Sequence, residues 1–600
     1  MRRAHLLKHN FGSDTPQNCL WFDTETRFET VDDSTIYHHL KFGYACFMRR
    51  HHTKEWTDEE WLRFTTRSEF WEFVCSKVRG QTTLYLFCHN TSFDLPVLDV
   101  FNALPAFGFS LRSAIIDAPP TILRFCNGNK RIIILDTMNF FRMPLKVLGR
   151  EIGVEKLDMP DDNDLGITWD TYGKRDVEII RDACIHWFGF LETNDMGCFA
   201  PTLAGQAMNL FRHRYMKHEI LIDDNQRALN LTREGYYGGR TECFFIGRRK
   251  DMFTLLDVNS MYPSVMADYQ YPRRLLSHTR RASLEDLAIW LQQYSVCARV
   301  ILRTMLPFAA VRAGSKLVFP IGEFECILST PELRYALAYG EMVSVLEVAV
   351  YEQALLFSAM MRDLYLNRLQ AKNSGDPVTA FLYRKMMNSF YGKWGQDGAK
   401  WNEIDYITDL SCRRWMEIDH DTQTIIWRRQ LGGLVQERGK DEESKDSFPA
   451  IAAHVTAYAR IKLWELIQLA GIEHVYYVDT DSLLVDRDGL ARLASRIDES
   501  ALGMLSIKGE YDEIEIWSNK DYRFGSKERH KGVRRDAIWI DSHTVQQSKW
   551  SGLRGLVAAG VVDKPITRTI RKHLNRIYDK GIINPNGRVS PFWVSLDSPL

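Results

Sequence analysis

The sequence predicts a multidomain chain in which an α/β unit is followed by a larger α+β unit. Three observations lead there. The chain has 600 residues, too many for one hydrophobic core, so two to four domains are expected. In the first third, short apolar runs of strand character at 19–22 and 84–88 lead into acidic or polar segments, and a helical apolar pattern opens near Tyr172. In the remaining two-thirds, β-type runs at 253–256, 473–478 and 482–485 stand either side of a helical stretch that Pro377 precedes.

Composition narrows the class little. The chain is 45% hydrophobic, 26% charged and 12% aromatic, ordinary for a globular enzyme. Lys+Arg and Asp+Glu are equal at 77 each. That balance neither supports nor excludes a polyanionic ligand, because carboxylates in one place offset a basic channel in another. Eleven cysteines occur without a CxxC pair, which speaks against a zinc ribbon or a disulfide framework and for reduced thiols in an intracellular, cytoplasmic setting (the host cytoplasm if the chain is viral). The first residues carry positive charge but no apolar core of a signal peptide. No apolar run approaches a membrane span, so no membrane partner is expected.

The acids of the first third come next. Asp23-Thr24-Glu25-Thr26 follows the run at 19–22. Alone, acid-x-acid is uninformative: roughly ten such pairs arise by chance in this composition, most of them at solvated strand ends. The run at 84–88 leads into His89-Asn90-Thr91-Ser92-Phe93-Asp94, and apolar sequence resumes at Leu95. An acid between apolar stretches is costly to bury without a partner. Tyr172 and Asp176 open a helical pattern four residues apart, on one face.

Together these segments resemble the three exonuclease motifs of proofreading DNA polymerases, DxE, Nx₂FD and Yx₃D, over about residues 15–195. The resemblance implies an RNase H-like 3′–5′ exonuclease domain. In it Asp23, Glu25, Asp94 and Asp176 hold two Mg²⁺ ions, with Mn²⁺ as a possible substitute, and Tyr172 orients the attacking water. It further implies that Thr26, His89, Asn90 and Phe93 hold a frayed 3′ end, and that Lys156 is an auxiliary exonuclease lysine rather than a surface one. The chemistry suits the residue types: phosphodiester hydrolysis needs charge neutralised on two oxygens, and hard cations prefer carboxylates.

In the second part, the run at 253–256 delivers Asp257-Val258-Asn259-Ser260-Met261-Tyr262-Pro263. Strand, acidic turn and strand recur at Asp479-Thr480-Asp481. Acids at a turn are commonly solvated, but the apolar flanks here place the tip inside a protein. Between them, Arg384, Asn388 and Tyr391 share one helical stripe. These segments resemble motifs A, B and C of family B DNA polymerases. Lys520-Asp521-Tyr522 resembles the KxY motif, and Tyr236-Tyr237-Gly238-Gly239 the YxGG loop joining exonuclease and polymerase halves.

The resemblance implies a right-hand polymerase with palm, fingers and thumb. Asp257, Val258 and Asp481 are its expected metal ligands, and Asp479 a supporting catalytic acid. Tyr262 would exclude a ribose 2′-hydroxyl. Arg384, or its neighbour Lys385, and Arg368 would meet the triphosphate, and Asn388 and Tyr391 the nascent pair. Tyr236, Gly238, Gly239, Lys520 and Tyr522 would contact DNA. Two departures stand out: Arg384 replaces the usual motif B lysine, which is not a neutral exchange at a phosphate, and Met261 replaces a leucine, a swap that conserves volume.

Asp23 lies near the start of the sequence, and Val478 stands where cellular enzymes usually carry glycine. The chain therefore most resembles the compact polymerases of phages, linear plasmids and related mobile elements, many of them protein-primed. The expected layout is exonuclease 1–195, connecting region 196–249, palm 250–350 with an insertion, fingers 351–395, an insertion at 396–450 containing the charge run 439–446, palm 451–518 and thumb 519–600. Expected partners are template and primer DNA, dNTPs and a terminal priming protein, for a monomeric enzyme. Rival readings are a mobile-element polymerase that uses nucleic-acid primers or starts unaided, a nuclease with a dead polymerase half, and a non-catalytic single-strand binding scaffold.

Overall fold

The computed structural model describes residues 2–51, 55–117, 119–160, 168–398, 401–420, 423–439 and 443–597. Residues 440–442 of the charge run therefore lie outside the described residues. The first third is built on long paired strands, β1 (Asn18–Asp32) and β2 (Thr35–Arg49), with β3 (Glu60–Phe64) on the edge of β2. Then come β4 (Thr83–Cys88), helix α1 (Thr91–Val97), strands β5 (Ser110–Ile116), β6 (Thr121–Asn127) and β7 (Lys130–Asp136), and helix α2 (Trp169–Thr193). The strands lie in the order β2-β1-β4-β7-β6-β5. β4 runs parallel to both β1 and β7, which brings the acid-bearing ends of β1 and β7 to the same edge as α1. The all-apolar runs of β1 and β4 are buried on both faces, as expected of central parallel strands.

The next part opens with β8 (Thr241–Cys243), β9 (Gly247–Val258) and helix α3 (Met261–Asp268). An inserted sheet follows, made of β10 (Tyr271–Thr279), β11 (Ser295–Thr304), β12 (Ile321–Ser329) and, after helix α4 (Thr330–Tyr339), β13 (Glu341–Ala354). Two antiparallel helices, α5 (Ser358–Asn373) and α6 (Pro377–Trp394), come next. Asp376 caps α6 by accepting from Thr379 N at 2.9 Å, and Pro377 occupies the first turn, where a missing N–H costs nothing. The stretch from 351 is thus not helical at its start: residues 351–354 complete β13, which is buried at 348–351 and again at Ala354.

The expected insertion at 396–450 folds as a four-stranded sheet of β14 (Trp401–Tyr406), β15 (Arg413–Asp419), β16 (Thr424–Leu431) and β17 (Leu434–Arg438). The long buried helix α7 (Pro449–Ala470) leads to β18 (Val475–Asp479), β19 (Ser482–Asp486), β20 (Leu505–Ser518), β21 (Asp521–Phe524) and β22 (Lys527–Arg529). These complete a seven-stranded sheet, β8-β18-β19-β9-β20-β21-β22.

The described residues of 519–597, expected as one small thumb, instead contribute strands to three larger sheets, besides a two-stranded pair at 582–583 and 589–590. β21 and β22 extend the sheet just described. β23 (Ile538–Trp539), β24 (Thr544–Trp550) and, after helix α8 (Leu553–Ala559), β25 (Ile566–His573) join the edge of β2. β26 (Trp593–Val594) pairs in parallel with β12. The reason is burial. Leu553, Leu556, Val557, Val562 and Ile566 are apolar and share a core with Leu95, Phe101, Cys412 and Leu431, so this segment has more apolar surface to cover by spreading than by closing on itself.

Candidate active sites

The first site collects Asp23 and Glu25 from β1, Asp94 from α1, and Tyr172 and Asp176 from α2. One carboxylate oxygen from each of Asp23, Glu25 and Asp176 lies within 4.8 Å of the others. Asp94 is buried, and its Oδ1 accepts from Thr24 N at 3.1 Å and Thr24 Oγ1 at 2.7 Å, which locks α1 onto the middle of the DxE segment. Lys156 donates to Asp176 Oδ2, and its ammonium lies 4.3 Å from the centre of the Tyr172 ring.

The electrostatics are those of a site short of positive charge. Burial, then Asp94, Asp176 and Glu25, push Asp23 well above the usual carboxylate range against Lys156. Burial and Asp176 push Glu25 to about 7, opposed by Lys156 and Lys41. Burial pushes Asp94 to about 7, opposed by the Thr24 bonds. Asp176 Oδ1 is buried and has no hydrogen-bond partner among the described residues. An orphaned, buried carboxylate oxygen facing two more carboxylates fits a divalent cation better than any rearrangement of protein donors.

Asn90, at φ +74°, turns the chain into α1. The turn is held by Asp136, which ends β7 and accepts from Asn90 N at 3.0 Å, Thr91 N at 3.0 Å and Thr91 Oγ1 at 2.8 Å. Asp136 escaped the sequence reading, although it ends the apolar run 132–135 much as Asp23 ends its own. His89, expected at a DNA end, has both ring nitrogens engaged, Nδ1 with Thr137 Oγ1 at 2.8 Å and Nε2 with Met143 O at 2.9 Å. It braces the turn from within. Thr26 Oγ1 faces His38 Nδ1 at 3.4 Å, and the half-buried Phe93 packs edge-on against the His38 ring.

In the second site, register does the assembling. Asp257 pairs with Ser482 across β9 and β19, and Val258 N donates to Asp481 O at 2.7 Å. The β18–β19 turn, with Thr480 at φ +66°, thereby carries Asp479 and Asp481 beside Asp257. All three line a cavity of about 270 Å³, together with Tyr522, with Lys527 and Arg529 of the basic stretch that follows the KxY segment, and with Lys508, which the sequence did not single out. Burial, then Asp257 and Asp479, raise Asp481 to about 7. Burial also raises Asp257, opposed by Lys508, Arg384 and Lys527. Asp479 is braced: Thr241 Oγ1 donates to it at 3.1 Å, and Lys520 Nζ and Arg529 Nη1 lie 3.5 and 3.8 Å away.

Around this cavity, the Tyr262 and Tyr391 rings lie 4.4 Å apart. Arg368 Nη1 donates to Ser260 Oγ at 2.9 Å. Arg384 is exposed on the stripe with Asn388 and felt by Asp257, whereas Lys385 leans over Phe381 at 5.5 Å. The segment 236–239 closes the back: a Cβ on Gly239 would sit 2.7 Å from Thr480 Cγ2 and 3.0 Å from Tyr262 Oη. Arg460 of α7, fully buried with Glu332, donates to Tyr237 O at 3.0 Å and Gly238 O at 2.9 Å. An arginine inside the apolar run of α7 was the available signal for it. Tyr522 stacks on Phe524 at 4.0 Å, and Lys520 N donates to Tyr477 Oη at 3.1 Å.

A sequence profile of the family described as DNA polymerase type B, organellar and viral, matches residues 163–463, and the chain belongs to that family. A probable DNA polymerase of Neurospora intermedia is 23% identical over 338 residues, 54% of this chain and 34% of the relative. The DNA-directed DNA polymerase of Enterobacteria phage PRD1 is 26% identical over 337 residues, 54% of each chain. The match thus spans a third to about half of these relatives' length. In three dimensions the chain is similar to Phi29 DNA polymerase complexed with primer-template DNA and incoming nucleotide substrates, with a TM-score of 0.67 at 15% identity, covering 93% of this chain and 100% of the other. The fold is therefore that of an exonuclease unit joined to a palm, fingers and thumb polymerase. Among the described residues, no helix is long and apolar enough to cross a membrane.

Proposed function

We propose that this chain is a DNA-directed DNA polymerase with its own 3′→5′ exonuclease, and that it starts synthesis on a hydroxyl of a terminal protein. The carrying observation is the pair of separate carboxylate clusters, each partly buried and each bordered by cations. In the polymerase site Asp257, the main chain at Val258 and Asp481 are the groups that would hold a metal pair; in the exonuclease site these are Asp23, Glu25, Asp94 and Asp176. Bound divalent cations, proposed as Mg²⁺ with Mn²⁺ as substitute, neutralise the attacking and leaving oxygens.

The protein's own part is positioning and charge. Arg384 and Arg368 receive the triphosphate, Asn388 and Tyr391 the nascent pair, and Lys520 and Tyr522 the primer strand. Asp479, held by Thr241 and Lys520, keeps the turn in place. Tyr262, pressed against Gly239 and Tyr391, floors the sugar and excludes a 2′-hydroxyl. In the exonuclease site Tyr172 orients water, and Lys156 anchors Asp176. Terminal-protein priming is supported by the likeness to compact polymerases and by the two inserted sheets, which offer surface for a second protein.

Two assays test this. Asp257→Ala or Asp481→Ala cuts primer extension by on the order of 10³-fold or more, about 4 kcal/mol, and leaves degradation of single-stranded DNA; Asp23→Ala does the reverse. Joint loss of both activities in both variants would remove the two-centre reading. For priming, labelled dNTP becomes covalently attached to a protein partner encoded beside the polymerase; extension from oligonucleotides alone defeats that part.

A further inference from the structure

Four aromatic rings meet near the segments of the first carboxylate cluster, and three of them come from places no motif covers. Phe93 precedes Asp94 on α1. His38 lies on β2, Phe28 on the outer half of β1, and Trp550 ends β24 in the C-terminal segment. The His38 and Trp550 rings are 4.9 Å apart at 35°, and Phe93 and Trp550 5.4 Å apart at 80°. His38 meets Phe93 at 5.5 Å and Phe28 at 5.2 Å, both edge to face.

His38 is the hub: 4% exposed, with Nε2 2.9 Å from Thr567 Oγ1 on β25 and Nδ1 3.4 Å from Thr26 Oγ1. Phe28 and Trp550, by contrast, are 71% and 44% exposed. The patch is built rather than incidental. β25 pairs with β2 through Ile566 and Tyr37, Leu553 N approaches Ser92 Oγ at 3.5 Å, and Arg67 Nη2 donates to Asp563 O at 2.6 Å. These contacts hold the end of β24 over α1.

Exposed ring faces beside buried acids suit flat, apolar ligands tethered to an anionic backbone, because every base has a π-face to stack on. Thr26, which faces His38, follows Glu25 in sequence, and Phe93 precedes Asp94, so the patch is built on the same two segments that carry two of the acids. We propose that Trp550 and Phe28, backed by His38, form a stacking subsite for the last unpaired bases of a DNA strand entering the first carboxylate site, which makes the C-terminal segment part of that site's substrate surface. The proposal rests on the exonuclease reading and extends it to residues outside the exonuclease motifs.

The test is equilibrium binding, in EDTA, of single-stranded oligonucleotides carrying 2-aminopurine at each of the last four positions from the 3′ end. The full chain quenches the probe at one or two of these positions. Trp550→Ala removes that quenching and weakens binding about tenfold, equivalent to about 1.4 kcal/mol, and Trp550→Phe restores most of both. Trp539→Ala, in the same segment but packed on His530, keeps the wild-type quenching. In degradation assays Trp550→Ala raises KM by a similar factor with kcat nearly unchanged. Unaltered binding and quenching in Trp550→Ala overturns the subsite, as does an equal loss in Trp539→Ala without rescue by Phe. Trp550-dependent binding by a chain that degrades no DNA would leave the subsite standing and overturn the exonuclease reading alone.

Discussion

Asp94 and Glu25 illustrate how a buried carboxylate cluster works against the fold that carries it. Both are held near 7 in the metal-free chain, chiefly by burial. A carboxyl whose folded pKa lies above its unfolded one binds its proton more tightly when folded. Its contribution to stability is therefore full below about pH 4 and is lost as pH rises towards about 7. We expect the chelated protein to melt at progressively lower temperature across that window, and Mg²⁺ to restore the melting temperature above it. Asp94→Asn should flatten the pH dependence by removing one of the charges. A chelated wild type whose melting temperature is flat from pH 4 to 7 would contradict this. The acids themselves were legible in sequence only as a set, through the order and spacing of the three segments, since a single acid at a strand end is usually just solvated. Lys41, whose charge opposes the shift at Glu25, was not legible, because a lone lysine on an outer strand looks like any solvated one.

The segment 236–239 shows what a short loop does between larger elements. Its carbonyls are taken by Arg460, its glycine has Thr480 and Tyr262 at its face, and Thr480 N donates to Arg240 O at 2.7 Å. Any Cβ at Gly239 must displace either the turn bearing Asp479 and Asp481 or Tyr262, the tyrosine proposed to exclude a 2′-hydroxyl. Gly239→Ala is expected to lower primer extension at least tenfold and to relax discrimination against ribonucleotides. Degradation of single strands should be spared, because the first cluster lies on other elements. Equal dNTP and rNTP effects, or none, would show that the contact is slack. The YxGG pattern pointed to this loop, but not to its partners. Arg460 and Glu332 are far apart in sequence, and a buried pair between an inserted helix and α7 leaves no local periodicity to read.

The C-terminal segment stitches the units together. α8 buries Leu553, Leu556 and Val557 in the core that also holds Leu95 and Phe101 from the first third and Leu431 and Leu434 from the inserted sheet. One small helix thus seals three parts of the chain. Leu556→Ala removes a fully buried side chain and should cost about 2–5 kcal/mol, seen as a thermal transition lowered by several degrees. It should also increase protease cleavage within 540–575. Local cleavage without a change in the rest of the chain would mean the segment is an appendage rather than a seam. The sequence pointed to a separate thumb here because turn-rich segments and short strands resemble an independent unit when their apolar faces cannot be assigned to a partner.

Linear sequence determined the chemistry: two sets of acids, each at the end of an apolar strand or on one helix face, and the order in which they occur. Those signals are local, because strand and helix periodicity place neighbouring side chains with no knowledge of the rest of the fold. Only tertiary structure decided which faces meet. It set Asp257 beside Asp481 through strand register, brought Lys508, Lys527 and Arg529 to the same cavity, closed Arg460 on the loop and carried Trp550 to His38. Burial of apolar surface is non-directional, so a chain announces that a face must be covered without naming what covers it.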